Sequence, residues 1–175
     1  KYVIPYSLST GKAMNFKHGY VEIRARVPFD GRGEWPAIWS IDSSAELAAK
    51  LPGYTAGEYK AEIDIMEQMN TSDSFQSQIH LWDNDGTEHL KNIWGDKDPS
   101  IIAQFDSSEL ANEWHTYGYK WTESGITVYV DGKAVIAKDF GNYADNFNVY
   151  MPLILSLQNY EPDAAFSASM EIDYI

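Results

Sequence analysis

Three carboxylates stand within six residues of the stretch Ala61–Met69, and apolar residues separate them. The isoleucines between them are β-branched, which predicts a strand whose side chains alternate between two faces. Glu62 and Asp64 then share one face, because side chains along a strand repeat with a period of two residues. Glu67 has the opposite parity, so its direction decides what the cluster can do.

Two interpretations of Glu67 remain open on the residues alone. It is either the solvated end of the strand, or a β-bulge near Met66 inserts one residue and returns its side chain to the acidic face. Like charges on one strand face repel, which favours the bulge, since a purely structural strand rarely keeps such a cluster. The chemistry that needs this face is glycoside hydrolysis, in which two carboxyl groups about 5–5.5 Å apart flank the scissile bond for retention. A third acid can couple to both and hold their pKa values apart.

The residues from Glu62 to Glu67, Glu-Ile-Asp-Ile-Met-Glu, resemble the E-x-D-x-x-E signature of glycoside hydrolase family sixteen, in its bulged, laminarinase-like branch. Residues 16–39 and 114–132 are similar to the family's blocks K-Y-G-x-x-E-x-R … W-P-A-x-W and F-H-T-Y-x-x-x-W … Y-V-D-G. The resemblance extends from about residue 6 to residue 175. It implies that Glu62 is the nucleophile, that Asp64 assists it, and that Glu67 is the acid/base.

Aromatic and polar residues on neighbouring strands are candidates for binding a sugar. Trp35 and Trp39 share a parity, so they are either core residues or part of a groove whose flat rings match pyranose faces, and the resemblance favours the groove. The strand after the acids carries Gln76, Gln78, His80 and Trp82 on one face, and the resemblance sets its histidine beside the carboxylates. The substrate-binding candidates are therefore Trp35, Trp39, His80, Trp82 and, at the polar end of residues 152–159, Gln158 and Asn159.

The resemblance also implies a structural calcium ion. In many members the Asp of the closing strand, here Asp173, binds Ca²⁺ together with a backbone carbonyl that corresponds to Gly19. One carboxylate plus backbone oxygens suits this cation, whereas the alternative is a plain solvated Asp173. The implied hydrolysis itself uses no catalytic metal or organic cofactor.

Length and composition set the remaining bounds. A chain of 175 residues predicts one domain, here a single catalytic domain over residues 1–175 that lacks the family's first strands and the end of its last. The absence of cysteine excludes disulfides, thiolate metal sites and cysteine nucleophiles. The net charge of −13 argues against nucleic acid and anionic membranes as partners, and no apolar run is long enough to insert into a membrane. We expect a monomer whose partner is a polysaccharide or oligosaccharide, secreted or held at the cell surface or in the periplasm of a bacterium.

Short alternating strands, scarce helix and frequent turn signals predict an all-β sandwich. The resemblance specifies a jelly roll of two curved antiparallel sheets with a concave substrate cleft. A loop over residues 42–60, with a short helix over 43–51, and a second loop over 83–100 are expected beside the cleft.

The function implied by these features is retaining, endo-acting hydrolysis of a β-glucan, either β-1,3-glucan (laminarin) or mixed-linkage β-glucan. One alternative is an endo-acting hydrolase of a galactan or host glycan on the same fold. Others are a non-catalytic glucan-binding module and a structural β-sandwich with an accidental acid cluster.

Overall fold

The computed structural model describes residues 2–3, 6–7, 12–13, 15–28, 33–42, 59–68, 75–83, 88–91, 110–159 and 167–175. A 3-10 helix covers Gly141–Phe147, and no helix among these residues is long and apolar enough to cross a membrane. The strands are β1 (Tyr2–Val3), β2 (Tyr6–Ser7), β3 (Lys12–Ala13), β4 (Asn15–Phe16), β5 (Gly19–Arg26), β6 (Glu34–Ile41), β7 (Lys60–Glu67), β8 (Gln76–Trp82), β9 (Glu88–Lys91), β10 (Trp114–Trp121), β11 (Gly125–Val130), β12 (Lys133–Asp139), β13 (Met151–Asn159) and β14 (Glu171–Tyr174).

The strands form two large antiparallel sheets. The first has the order β1-β13-β6-β7-β8-β9, with β4 also paired to β13, and the second has the order β12-β11-β10-β5-β14. Strands β2 and β3 form a separate two-stranded ribbon. Every strand pairing among the described residues is antiparallel, which confirms the predicted all-β architecture.

The core lies between the two sheets. Strand β5 shows this: Ile23 and Ala25 are fully buried, while the charged residue between them, Arg24, is partly exposed, as the alternating sequence predicts. Ser40 of β6 and Tyr119 of β10 are both fully buried, and their hydroxyl oxygens lie 3.2 Å apart. Because each strand sends alternate side chains into this core, the other face of the first sheet carries the residues that can meet a ligand.

A β-bulge interrupts the regular alternation of β7. Strand β6 pairs Trp39 with Asp64 and pairs the preceding residue, Ile38, with Met66. Ile65 is therefore the additional residue, and the pairing of β7 with β8 shifts in the same interval. Ile65 and Met66 are consecutive and both fully buried, which strict alternation would not allow. The bulge near Met66 is confirmed, and it returns the last carboxylate to the face of the first two.

A hairpin connects β11 and β12, with positive φ at both turn residues, Asp131 (49°) and Gly132 (72°). Two predictions concern the segments between strands. The predicted loop over residues 83–100 is wrong in part, because Glu88–Lys91 form strand β9 at the sheet edge, where a strand needs no apolar pattern. The predicted helix over residues 43–51 lies outside the described residues.

Candidate active site

A cavity of about 170 Å³ lies on the face of the first sheet that points away from the core. Three neighbouring strands form its lining: two of them contribute alternate residues, as the period of two requires, and the bulge lets β7 contribute Glu67 as well. The lining residues are Trp35, Ala37 and Trp39 of β6, Glu62, Asp64 and Glu67 of β7, and Ser156 and Gln158 of β13. The three acids thus meet in one cleft.

Both carboxylate oxygens of Glu67 accept hydrogen bonds. The indole N–H of Trp35 donates to Oε1 at 2.9 Å, and the amide of Gln76 donates to Oε2 at 3.3 Å. Gln76 lies directly opposite Glu67 in the pairing of β7 with β8. Its own carbonyl oxygen accepts a hydrogen bond of 2.8 Å from the amide of Gln78. Strands on both sides of β7 therefore fix the position of Glu67.

The other two acids lie against an imidazole and an indole. Asp64 is buried, with 4% of its surface exposed, and its Oδ2 lies 3.1 Å from Nε2 of His80. His80 is opposite Glu62 in the strand register, and its ring stacks on Trp82 with the centroids 5.8 Å apart. The structure thus brings His80 and Trp82 beside the acids, where the sequence predicted them.

Burial and mutual repulsion raise the pKa values of two of the acids. Burial, and then the charge of Asp64, raises the pKa of Glu62 to about 8, while His80 acts in the opposite direction. Burial and the charge of Asp64 also raise the pKa of Glu67, whereas the hydrogen bonds from Trp35 and Gln76 act to lower it. The cluster therefore retains a proton near neutral pH. The sequence predicted that a third acid couples to the other two, but not that burial raises the pKa of Glu62, since this burial depends on the assembled cleft.

The indole nitrogen of Trp82 is covered from solvent and has no partner in hydrogen-bond geometry. It is nevertheless close enough to Glu62 to oppose the rise of that residue's pKa as a donor. Trp82 is therefore positioned to bond the ionised form of Glu62 after a small adjustment.

Apart from His80 and Trp82, four residues were predicted to bind substrate. Trp35, Trp39 and Gln158 line the cavity. Asn159 does not: it lies opposite Glu34 in the register, one residue after Gln158, so alternation turns it to the other face of the sheet. A role of Asn159 in binding substrate therefore stays a prediction.

Ser156 and Gln76 were not predicted as site residues. Ser156 accepts a hydrogen bond of 3.2 Å from the indole N–H of Trp39 and so orients that ring. Ser156 could have been identified as a cleft residue from its parity with Gln158, two residues later. The apolar residues around it concealed this pattern. Gln76 was recognised on the polar face of its strand, and its contact with Glu67 follows only from the pairing of β7 with β8.

One group among the described residues has metal-ligand character. Ligand atoms of Glu62, Asp64 and His80 all lie within 4.8 Å of one another. Two of the three already contact each other, because His80 pairs with Asp64.

The predicted calcium ligands are not brought together. Gly19 pairs with Trp121 at one end of β5, whereas Asp173 follows Ile172, which pairs with Ala25 near the other end. At about 3.3 Å per residue, five or six residues separate the two sites by about 17–20 Å. The carboxylate of Asp173 is instead bound by Arg24 at 2.5 Å. These residues do not fit a shared calcium site, and the Gly19–Asp173 prediction is wrong.

Two curated relatives cover much of this chain. A glucan endo-1,3-beta-glucosidase A1 from Niallia circulans is 29% identical over 128 residues, which is 72% of this chain and 16% of the relative. A keratan-sulfate endo-1,4-beta-galactosidase from Sphingobacterium multivorum is 27% identical over 177 residues, which is 95% of this chain and 38% of the relative. The chain thus spans well under half the length of either protein.

A solved structure and a family model complete the comparison. The structure of SCLam, a non-specific endo-beta-1,3(4)-glucanase, superimposes with a TM-score of 0.61 at 24% identity, covering 91% of this chain and 57% of that one. This similarity confirms the predicted jelly-roll fold. The family model "Glycosyl hydrolases family 16" matches residues 7–175, nearly the whole sequence. The chain therefore belongs to glycosyl hydrolase family 16.

Proposed function

We propose that this chain is the catalytic domain of a retaining endo-β-glucan hydrolase that acts on β-1,3-glucan or mixed-linkage β-glucan. The observation that carries the proposal is the convergence of Glu62, Asp64 and Glu67 on one cleft that also holds Trp35 and Trp39. A glycosidase needs two carboxyl groups at the scissile bond, one charged and one protonated. The raised pKa values in this cluster supply the protonated group near neutral pH.

In the first step, a carboxylate oxygen of Glu62 bonds to the anomeric carbon as the glycosidic C–O bond breaks. The electron pair of that bond stays on the departing oxygen, which takes the proton of Glu67 and leaves as an alcohol. The products are a glycosyl ester on Glu62 and a carboxylate on Glu67.

In the second step, Glu67 removes a proton from water as the water oxygen bonds to the anomeric carbon. The ester bond to Glu62 breaks, which restores its carboxylate, and Glu67 is again protonated. Two inversions at the same carbon give net retention of its configuration.

Asp64 and His80 serve the nucleophile in this scheme. Asp64 has the parity of Glu62 and lies two residues away on the same strand face, where its charge raises the pKa of Glu62. His80 contacts Asp64 and opposes that rise, so it favours the ionised form of the nucleophile. Substrate binding must leave the proton of the cluster on Glu67 for the first step to proceed.

We further propose endo-action outside the cytoplasm. The cavity lies on the middle strands of its sheet, β6, β7 and β13, which suits a polymer that lies across the sheet rather than one that ends in it. A polysaccharide of that kind cannot cross a membrane, so the enzyme would meet it in the medium, at the cell surface or in the periplasm of a bacterium. The bacterial source of the relatives supports this location.

A panel of polysaccharides tests the function. The chain is incubated with laminarin, mixed-linkage glucan, agarose and a keratan-type glycan, and products are sized by chromatography and their anomeric configuration is read by proton NMR. We expect internal cleavage of a glucan with retained β-configuration, and no turnover by the matched variants Glu62→Gln and Glu67→Gln. If folded Glu62→Gln cleaved the glycan at the wild-type rate, the assignment of Glu62 as the nucleophile would be refuted.

A galactose-containing glycan is the second candidate substrate. A relative that matches 95% of this chain is named for keratan sulfate rather than for a glucan. Selective cleavage of the keratan-type glycan in the same panel would assign this substrate class, and the roles of the three acids would stay the same.

A further inference from the structure

The two oxygens of Glu67 have different neighbours, and this decides where its proton can reside. The indole N–H of Trp35, which bonds Oε1, can only donate a hydrogen bond. Oε1 must therefore remain an acceptor in both protonation states. When Glu67 is a carboxylic acid, its proton belongs on Oε2, the oxygen that faces Gln76.

Gln76 differs from Trp35 because an amide can present either a donor or an acceptor. Its orientation is fixed by its other neighbour: the amide of Gln78 donates to the carbonyl oxygen of Gln76 at 2.8 Å. Gln76 therefore directs its own N–H group, and not its oxygen, toward Oε2 of Glu67. A donor in this position favours the carboxylate form over the acid form.

We propose that Gln76, held by Gln78, is a positioning residue that stabilises the carboxylate form of Glu67, the form that accepts the proton of water in the second step. This inference rests on the proposed role of Glu67 as acid/base. The bond from Gln76 to Oε2 measures 3.3 Å, which is long compared with about 2.7–2.9 Å for a strong charge-assisted bond. Its length leaves Oε2 able to carry the acid proton in the first step.

The charged groups that face Glu67 come from two strands. Asp64 on β7 raises its pKa, and His80 on β8 lowers it. Glu62, also on β7, interacts with Glu67 as a like charge. The described cleft residues of β6 and β13 are all neutral, namely Trp35, Ala37, Trp39, Ser156 and Gln158. Gln76 and Trp35 are thus the neutral donors that counteract burial and repulsion, and removing Gln76 leaves the charges unchanged.

Loss of the Gln76 donor should shift the pKa of Glu67 and, with it, the pH dependence of hydrolysis. Without the donor, the carboxylate of Glu67 loses stabilisation while the acid does not, so the pKa of Glu67 rises. In the pH profile of kcat/KM, Glu67 must be protonated, so the alkaline limb moves to higher pH. In the profile of kcat for a substrate limited by the second step, Glu67 must be ionised, so the acid limb also moves to higher pH.

The test uses Gln76→Met, which keeps the side-chain length and removes the donor, and Gln78→Met, which removes the support. The Glu67 carboxyl is titrated by carbon NMR in glutamate-labelled protein, with its signal assigned by Glu67→Gln. We expect Gln76→Met to raise the pKa by about 0.5–1 pH unit and Gln78→Met to raise it by less. Ser156→Ala, which alters the same cleft without contacting Glu67, should leave the pKa in place.

An unchanged or lowered pKa of Glu67 in folded Gln76→Met would overturn the inference. If that variant does not fold, Gln78→Met decides in the same way, because it leaves Gln76 and its strand intact. The titration needs no turnover. A raised pKa in a chain that cleaves no glycan would therefore refute the proposed function alone, while an active chain with an unmoved pKa would refute the role of Gln76 alone.

Discussion

Asp64 and Glu67 both face the cleft although an interval of three residues along β7 would put them on opposite faces of a regular strand. The additional residue, Ile65, resolves the conflict by turning into the core beside Met66. The bulge thus places the acid/base candidate in the same cavity as the other two acids.

Deleting Ile65 should leave Glu67 on the cleft face, because the interval from Asp64 becomes two residues and regular alternation then places both side chains on one side. The deletion variant should therefore keep measurable hydrolysis of polysaccharide. The midpoint of denaturant unfolding should fall, since Ile65 is fully buried and its apolar contacts are lost. Ile65→Ala is the matched control: it loses the same contacts, at a cost of about 2–5 kcal/mol, but keeps the bulge. A folded deletion variant without turnover, beside an active Ile65→Ala, would show that a shared face alone does not position Glu67.

Glu67→Ala should slow the hydrolysis of polysaccharide by about 10²–10⁴-fold, because the departing sugar oxygen then leaves without a proton. An aryl glycoside with a very acidic leaving group needs no such proton, so its first step should be nearly unaffected and an initial burst of phenol should appear. Azide, which needs no general base, should accelerate the second step and give a β-glycosyl azide. The measurement is stopped-flow release of the phenol with product analysis by NMR. Equal losses on both substrates would assign Glu67 a different role.

Trp39→Ala should weaken substrate binding while leaving the chemistry largely intact. The ring lines the cavity and its N–H is fixed by Ser156, so it offers a preset flat surface for a sugar. Loss of an aromatic contact of about 1–2 kcal/mol predicts a rise in KM of roughly 5–30-fold with a small change in kcat. Steady-state kinetics on the preferred polysaccharide measures it, and Trp39→Phe should restore most of the affinity. A fall in kcat with unchanged KM would argue against a stacking role.

The sequence predicted what depends on local alternation. The shared parity of Trp35 and Trp39 was recognised, and both residues line the cleft. Alternation alone left Glu67 undecided, since one extra residue reverses its face, and repulsion among the acids supplied the correct choice. Resemblance to a family then supplied roles that no spacing could give.

Features that depend on pairing between distant segments were missed. The error at Gly19 and Asp173 arose because the register of β5 with β14 joins residues about 150 positions apart, which no local pattern encodes. The contact between Gln76 and Glu67 likewise requires the shifted register after the bulge. Asn159 was predicted from its polar type, whereas its parity differs from that of Gln158, which lines the cavity.

Asp173→Asn should lower the free energy of unfolding by only about 0–1 kcal/mol, because its ion pair with Arg24 is half exposed to solvent. Arg24 also lies over the ring of Trp114, 4.9 Å from its centroid, and that contact would persist. Thermal unfolding in calcium and in a chelator should give the same difference between variant and wild type. A calcium-dependent loss specific to Asp173→Asn would restore this residue as a metal ligand.

The raised pKa of Glu62 should make the stability of the protein fall as pH increases. Its ordinary value is 4.5 and its value in the cleft is about 8, so between these limits the folded state holds a proton that the unfolded state has lost. The contribution of Glu62 to the free energy of unfolding is therefore fully present below about pH 4.5 and declines until about pH 8. Glu67, whose pKa is also raised, adds a decline of the same sign. Glu62→Gln carries no ionisable group at this position, so its stability should depend less on pH. At pH 8 the variant should unfold at a higher denaturant concentration than wild type. At pH 5 the difference between the two unfolding midpoints should be smaller. Urea unfolding at the two pH values measures this, with the distant surface variant Glu123→Gln, on the turn before β11, as the control. A Glu62→Gln variant that is less stable than wild type at pH 8 would contradict the assignment of a buried, repelled carboxylate to this position.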